Sequence, residues 1–221
     1  MKKIIIFGFP HCGTSILKSI LGHIDSVHEI YNETNIIHNT SINNKSYILC
    51  KYPLTNEEFF TTKYDDYIKI FIVRNPLYVF SSINKRFSYK IPGECSINNY
   101  INTLNKFNYY KNNKKENLYL IRYEDIFDDN YKNLKDILNS IGLTYTDHIF
   151  NNTEFVNTIV SSVKIPDKPP SNTDHKEYRT WQINQPFINN NDISKIDLTP
   201  EQLKKIKENQ IINIIYPNLN I

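Results

Sequence analysis

The chain has 221 residues with 40% hydrophobic and 22% charged side chains, and its formal net charge is +3. This length suits one α/β domain with a sizeable core, so we expect a single domain over residues 1–221. The charge is too small to indicate a nucleic-acid-binding protein, and the apolar run after Met1 is too short for a signal sequence or a membrane span. Three cysteines without metal-type spacing favour reduced thiols, and we expect a cytoplasmic protein. The lack of alanine and the excess of Asn, Ile, Lys and Tyr indicate an AT-rich coding genome.

Four runs of β-branched and aromatic residues predict the strands of the fold. They begin at Lys2, Ser46, Tyr67 and Asn117. Because each run is almost continuously apolar, we expect strands that are buried on both faces, as in a parallel sheet flanked by helices. Helical patterns are found at 14–21, 77–87, 97–110 and 131–141. The predicted fold class is therefore α/β, with a mostly parallel sheet of four to five strands and helices on both faces.

The last third of the chain contains two contrasting segments. Residues 157–192 are rich in proline and asparagine and have little periodicity, which predicts a long loop or lid. A helix is predicted at 199–215, because Thr199 can cap it, Pro200 fits its first turn and Gln202 completes a capping box.

The segment from Gly8 to Ser15 follows the first predicted strand and leads into a helix. Backbone N–H groups and the positive end of a helix dipole converge at such a turn, so it favours binding of phosphate or sulfate. Thr14 stands where a nucleoside triphosphatase carries lysine, and no acidic metal ligand is evident, which argues against metal-dependent kinase chemistry. A tight turn without a ligand is the alternative interpretation.

This loop resembles the 5′-phosphosulfate-binding loop of the sulfotransferases that use 3′-phosphoadenosine 5′-phosphosulfate (PAPS) and release the desulfated product PAP. The matching positions are Gly8, Pro10, Gly13, Thr14 and Ser15; the departures are His11, where the family has Arg or Lys, and Cys12, where it has Ser. The resemblance implies a P-loop NTPase-like sulfotransferase fold in which residues 10–15, from Pro10 to Ser15, bind PAPS. A protonated His11 could replace the missing charge, whereas a neutral one could still donate one hydrogen bond. We interpret Cys12 as a small filler, since no arginine follows it at the phosphatase spacing.

A second segment resembles the 3′-phosphate-binding motif of the same family. Arg74-Asn75-Pro76 ends a predicted strand, and Ser82 follows at the family's spacing. An arginine at a strand end can grip a phosphate with two hydrogen bonds, and a serine on the next helix can face back toward it. The resemblance therefore implies that Arg74 and Ser82 bind the 3′-phosphate, with Lys85 and Arg86 following within a turn. A salt-bridged arginine and helix-capping serines are the alternative.

Four further residues complete the expected donor site. Tyr123 lies in a Tyr-Glu-Asp segment that resembles the family's strand end near the adenine, unless it is simply a core residue. Lys176, Arg179 and Trp181 lie in the predicted lid, and many relatives close a basic and aromatic segment over the nucleotide there. We expect them to contact the 3′-phosphate or the adenine.

The resemblance also points to residues for the chemistry. The family often places its base, a Glu or His, a little beyond the first helix, and here Glu33 is preferred over Glu29. Both could instead be solvated carboxylates of a surface loop. Lys51 resembles the lysine that ends a family strand, and we expect it to stabilise the leaving oxygen together with His11, unless it is an exposed strand-end lysine.

The function implied by the resemblance is transfer of a sulfuryl group from PAPS, without metal, to a hydroxyl or amine. The sequence contains no recognisable signature of the acceptor, which can be a small molecule, a carbohydrate or a peptide. One alternative is a PAPS- or PAP-binding protein that has lost turnover through the change at His11. Another is a nucleoside or nucleotide kinase, which should carry the loop lysine and the acidic magnesium ligands that the sequence lacks.

Overall fold

The structure is a computed structural model that describes residues 1–30, 32–38, 42–150 and 192–219. In these residues five strands form one sheet in the order β2-β3-β1-β4-β5, and every neighbouring pair is parallel. The strands are β1 (Lys2–Gly8), β2 (Val27–Glu29), β3 (Tyr47–Tyr52), β4 (Tyr67–Val73) and β5 (Leu118–Arg122). The predicted α/β fold with a parallel sheet is therefore confirmed.

Helices connect the strands at or near their predicted positions. They are α1 (Thr14–Gly22), α2 (Pro76–Phe87), α3 (Ile97–Asn112), α4 (Tyr123–Ile126), α5 (Lys132–Ile141), α6 (Pro200–Glu208) and α7 (Gln210–Ile215). Sequence signals explain several ends: Pro76 occupies the first turn of α2, and Gly142 ends α5 in the left-handed conformation that glycine adopts without strain. None of the helices in the described ranges combines the length and apolar character that a membrane crossing requires.

The alternation of side chains along β1 divides the core into two halves. Ile5 and Phe7 face a cluster that contains residues of α2, α3, α6 and α7, whereas Ile4 and Ile6 face a cluster with residues of α1 and α5. All four β1 side chains are fully buried. Helices therefore cover both faces of the sheet, which explains why the strand sequences are continuously apolar.

Two details differ from the sequence predictions. Strand β2 was not expected, because its three residues include His28 and Glu29 and form no apolar run. The single helix predicted at 199–215 is two helices, because Asn209 leaves the helical conformation and its side chain accepts a hydrogen bond from the backbone of Ile212. The capping box of Thr199 and Gln202 is present as predicted.

The strand order reverses at β1, and this reversal distinguishes the side of the sheet where the strands reach their carboxyl ends, which we call the carboxyl edge. The chain builds β2 and β3 on one side of β1 and then crosses to build β4 on the other side. In open parallel sheets, ligands bind beyond the carboxyl ends of the strands at such a reversal. The loop after β1, the end of β3 with Lys51, and Arg74 directly after β4 all lie at this edge.

Candidate functional site

The loop between β1 and α1 has a backbone that favours a glycine at its end. His11 has a φ of 64° and Gly13 a φ of 97°, both in the left-handed region. A Cβ on Gly13 would lie 2.4 Å from a ring carbon of Tyr123, so no side chain fits there without movement. Among the described residues, no side chain caps the N-terminus of α1, and its first backbone N–H groups lack intrahelical acceptors, as in any helix. These groups can therefore donate to an anion.

The side chain of His11 extends from the loop to α2. Its Nδ1 is hydrogen-bonded to Oγ of Ser82 at 2.7 Å, which joins the two segments that the sequence assigned to separate phosphates. Burial, with a further contribution from the nearby cations Arg86, Arg74 and Lys51, lowers the pKa of His11 to about 3. Near neutral pH the imidazole is therefore uncharged, and it can donate a single hydrogen bond.

Arg74 is buried directly beyond the end of β4 and is held from several sides. Its guanidinium carbon lies 4.1 Å from the ring centroid of Tyr123 and 5.6 Å from that of Tyr78. Its backbone carbonyl accepts a hydrogen bond from the hydroxyl of Tyr100, a fully buried residue of α3. This support fixes the position of an arginine at the carboxyl edge, as binding of a phosphate requires.

Glu124 is a site residue that the sequence reasoning missed. Its Oε1 accepts a hydrogen bond of 2.8 Å from the backbone N–H of Asn75, the residue that follows Arg74. Burial raises the pKa of Glu124, while Asn75 and the two arginines Arg74 and Arg122 act in the opposite direction. The carboxylate therefore fixes the turn that carries Arg74. Its sequence signal is the Tyr-Glu-Asp segment, in which the family resemblance assigns a role only to the tyrosine.

Lys51 is buried in β3 with only 2% of its side chain exposed, so the alternative of an exposed strand-end lysine is wrong. Its Nζ donates to Oγ of Ser15 at 2.7 Å and lies 3.0 Å from Oε1 of Glu33. The lysine therefore links the first turn of α1 to the carboxylate preferred as the base. The Lys51 cation, the Ser15 hydroxyl and the Glu33 carboxylate therefore lie together at the carboxyl edge of the sheet, beside the loop.

Glu29 has different surroundings from Glu33. It ends β2, and its Oε1 lies 2.7 Å from Nζ of Lys18, whose side chain is 6% exposed. Its other oxygen packs close to Gly22, where an added Cβ would lie 2.2 Å away. Glu29 therefore compensates a buried lysine of α1, and Glu33 is the carboxylate that contacts Lys51.

The remaining predicted residues divide into three groups. Tyr123 is 1% exposed and packs between Gly13 and the guanidinium of Arg74, which favours the core alternative over direct stacking on an adenine. Cys12 is fully buried, and burial raises the pKa of its thiol, in agreement with a filler role. Lys176, Arg179 and Trp181, with nearly all of the predicted lid, lie outside the described residues.

The segment that follows the predicted lid is attached to α2. Ser81 donates to the carbonyl of Lys195 at 3.0 Å and accepts from the N–H of Asp197 at 2.8 Å. Asn84 donates to the carbonyl of Asp197, and Lys85 donates to that of Lys195.

In the described ranges, no three His, Cys, Asp or Glu side chains form a group suited to a metal ion.

Comparison with known proteins agrees with the architecture. No family model matches the sequence, and no curated protein matches it. Among solved structures, the chain is similar to mouse sulfotransferase SULT7A1 in complex with PAP, with a TM-score of 0.59 and 18% identity. The match covers 99% of this chain and 86% of the mouse chain. The chain therefore has the sulfotransferase fold, as the sequence motifs predicted.

Proposed function

We propose that this protein is a sulfotransferase that moves a sulfuryl group from PAPS to a hydroxyl or amine acceptor. The observation that carries the proposal is the convergence of Arg74, Lys51 and the His11–Ser82 pair at one sheet edge. Lys51 lies near the end of β3, Arg74 follows β4, His11 belongs to the loop after β1, and Ser82 belongs to α2. The fold they occupy is similar to that of a sulfotransferase in complex with PAP, which supports a PAPS or PAP site here.

In this proposal the donor is held by two groups of residues. The loop from Pro10 to Ser15 and the first turn of α1 bind the 5′-phosphosulfate through backbone N–H groups and the hydroxyls of Thr14 and Ser15. Arg74 and Ser82 bind the 3′-phosphate, and the ring of Tyr123 packs against the guanidinium of Arg74. Lys176, Arg179 and Trp181 remain proposed contacts of the 3′-phosphate or the adenine.

The chemistry is assigned to the residues around Lys51. Glu33 accepts the proton of the acceptor hydroxyl while the acceptor oxygen forms a bond to sulfur. The bond between sulfur and the 5′-phosphate oxygen breaks, and Lys51 stabilises the charge that remains on that oxygen. His11 adds one hydrogen bond to the same region. The scheme uses no metal ion, because cationic side chains of the chain itself face the proposed anion.

A second candidate function is nucleotide binding without transfer. The low pKa of His11 favours this candidate. The sulfotransferases that the loop resembles carry a cation at this position, whereas His11 is uncharged near neutral pH. In that case PAP should bind, but no acceptor should be sulfated. Conversion of His11 to arginine should then create activity, whereas loss of existing transfer in His11→Ala would exclude this candidate.

The first test is thermal unfolding with PAP, adenosine 5′-phosphate or magnesium-ATP. Ligand at a hundred times its dissociation constant stabilises by about 2.7 kcal/mol, which for this size raises the midpoint by roughly 5 to 10 °C. We expect this shift with PAP only, and we expect Arg74→Met to abolish it.

The matched control is Arg122→Met, which removes an arginine from the end of the neighbouring strand β5, where it pairs with Asp125. This variant should retain the difference between PAP and adenosine 5′-phosphate. An equal shift with magnesium-ATP, or none with PAP, would contradict the proposed donor.

A further inference from the structure

One peptide group, between Arg74 and Asn75, is held at both of its polar ends by buried side chains. The hydroxyl of Tyr100 donates to its carbonyl oxygen, and Oε1 of Glu124 accepts from its N–H at 2.8 Å. The two side chains belong to α3 and α4 and therefore reach the same peptide from separate elements. Because β4 ends at Val73, these bonds extend the ordered backbone to the residue that carries the guanidinium.

The held peptide lies where β4 passes into α2. Asn75 is the N-cap of α2, and its side chain accepts a hydrogen bond from the N–H of Leu77 at 2.9 Å. A rotation of the peptide before Asn75 would displace this cap and the first turn of α2, the helix that carries Ser82. One peptide group thus influences both proposed ligands of the 3′-phosphate, Arg74 and Ser82.

The ring of Tyr100 is itself fixed by its neighbours. It is fully buried and lies edge-on to Phe9 of the loop after β1, with 5.1 Å between the ring centroids, and to Phe80 of α2, with 5.5 Å. The hydroxyl therefore has a defined position relative to the loop and to α2. Replacement of Tyr100 by phenylalanine would remove the bond to Arg74 and leave the ring contacts in place.

Glu124 makes its bond at an energetic cost. Burial raises the pKa of this carboxyl group, because a buried carboxylate loses its hydration. Its second oxygen, Oε2, is also buried, and no group of the described residues forms a hydrogen bond with it. A smaller polar side chain could satisfy one N–H with less desolvation. Local costs of this kind are typical of functional sites.

We infer that Tyr100 and Glu124 are positioning residues that act as one unit: by fixing the peptide between Arg74 and Asn75, they orient the guanidinium and make the site selective for nucleotides with a 3′-phosphate. The inference rests on the proposed function for the identity of the nucleotide. Neither side chain contacts the nucleotide in this scheme. Because both bonds restrain the same peptide, loss of either one frees the same rotation, and loss of the second adds little.

The experiment is calorimetric titration of Tyr100→Phe, Glu124→Leu and the double variant with PAP, adenosine 3′-phosphate and adenosine 5′-phosphate. Each single variant should weaken binding of PAP and adenosine 3′-phosphate about threefold to thirtyfold, and adenosine 5′-phosphate should stay within about twofold of the wild type. The double variant should lose little more than the weaker-binding single variant. Losses that multiply in the double variant, or equal losses for both monophosphates, would overturn the inference.

Glu124→Gln tests whether the bond or the charge of Glu124 is required. The amide oxygen of glutamine can still accept from the N–H of Asn75, so this variant should bind PAP within about threefold of the wild type or more tightly. A loss as large as that in Glu124→Leu would reject the hydrogen bond as the means of positioning.

Tyr47→Phe is the matched control for the tyrosine. Tyr47 is also buried, and its hydroxyl donates to the carbonyl of Gly142 at 3.1 Å, but it begins β3 at the opposite end of the strands from the carboxyl edge. Tyr47→Phe and Tyr100→Phe should both lower the unfolding midpoint, by roughly 1 to 5 °C. Only Tyr100→Phe should lose selectivity for the 3′-phosphate. Unchanged selectivity in both variants would leave Tyr100 a structural role alone.

A measurement without nucleotide separates this inference from the proposed function. The guanidinium carbon of Arg74 lies 4.1 Å from the ring centroid of Tyr123, so ring currents shift the side-chain NMR resonances of the arginine, and Arg74→Met identifies them. Tyr100→Phe and Glu124→Leu should move these resonances toward their ordinary range, whereas Tyr47→Phe should not. If the resonances respond in this way but the wild type binds none of the nucleotides, the proposed nucleotide is wrong and the positioning of Arg74 stands. Unchanged resonances in Tyr100→Phe and Glu124→Leu would reject the positioning.

Discussion

Lys51 and Glu33 form an ion pair with 3.0 Å between Nζ and Oε1, and the lysine is almost completely buried while the glutamate remains partly exposed. The Glu33 side chain is 29% exposed, and Lys51 also reaches Ser15 at the start of α1. This pair therefore connects the proposed base to the proposed donor site.

We expect Lys51→Met to lower the rate of sulfuryl transfer by about 10²- to 10³-fold, because one stabilising group of the leaving oxygen is lost. The affinity for PAP should change far less. The rate is measured from labelled PAPS, with the best acceptor found in a panel of phenols, sugars and amines. Lys63→Met is the control, since it breaks the exposed ion pair with Glu58. Similar rates in the two variants would show that Lys51 has no role in the chemistry.

Glu29→Gln and Glu33→Gln should separate stability from catalysis. Glu29→Gln leaves the buried Lys18 without its carboxylate, so the free energy of unfolding should fall by about 1–3 kcal/mol while the transfer rate per folded molecule is retained. Glu33→Gln should lower the rate about 10²- to 10⁴-fold through loss of the base. Urea unfolding and the transfer assay are measured on the same samples. The reverse pattern would assign the base to Glu29.

Gly13→Ala should destabilise the protein by about 1–3 kcal/mol, because Gly13 has a positive φ and its missing Cβ would collide with Tyr123. The unfolding midpoint should fall by roughly 3 to 10 °C. The control is Gly93→Ala, where an added Cβ has no atom within 4 Å and where φ is not positive. Comparable midpoints for the two variants would mean that the loop relaxes easily.

The stability of the protein should depend on pH through His11. Because its folded-state pKa is lowered to about 3 from 6.5, the unfolded chain takes up a proton below pH 6.5 that the folded chain resists. This contribution to stability is present above pH 6.5 and is lost as pH falls toward 3, by up to about 1.4 kcal/mol per pH unit. His11→Gln should remove this part of the pH dependence between pH 6.5 and 4.

Urea unfolding at several pH values checks this expectation. His28→Gln, at a histidine of β2, controls for the removal of any one imidazole. Parallel pH profiles of the wild type and His11→Gln would show that the imidazole titrates normally in the folded protein.

The sequence predicted the strands of the sheet well because parallel strands buried on both faces have continuously apolar sequences. Strand β2 escaped prediction since its pairing with β3, and not its own composition, makes it a strand. The burial of Lys51 could not be foreseen, because lysine at a strand end is usually exposed. Likewise, the bond between His11 and Ser82 joins positions 71 residues apart, so only the folded chain brings them together.

The central position of β1 has a consequence for synthesis on the ribosome. This apolar strand is made before both of its neighbours, because Lys2 pairs with Tyr47 and Lys3 with Tyr67, which are translated only later. Until then, a segment rich in isoleucine with two free edges is exposed during elongation, and such segments are prone to aggregate. The nascent chain should therefore depend on chaperones that bind short hydrophobic stretches, and heterologous yield should improve when translation is slowed or the temperature is lowered.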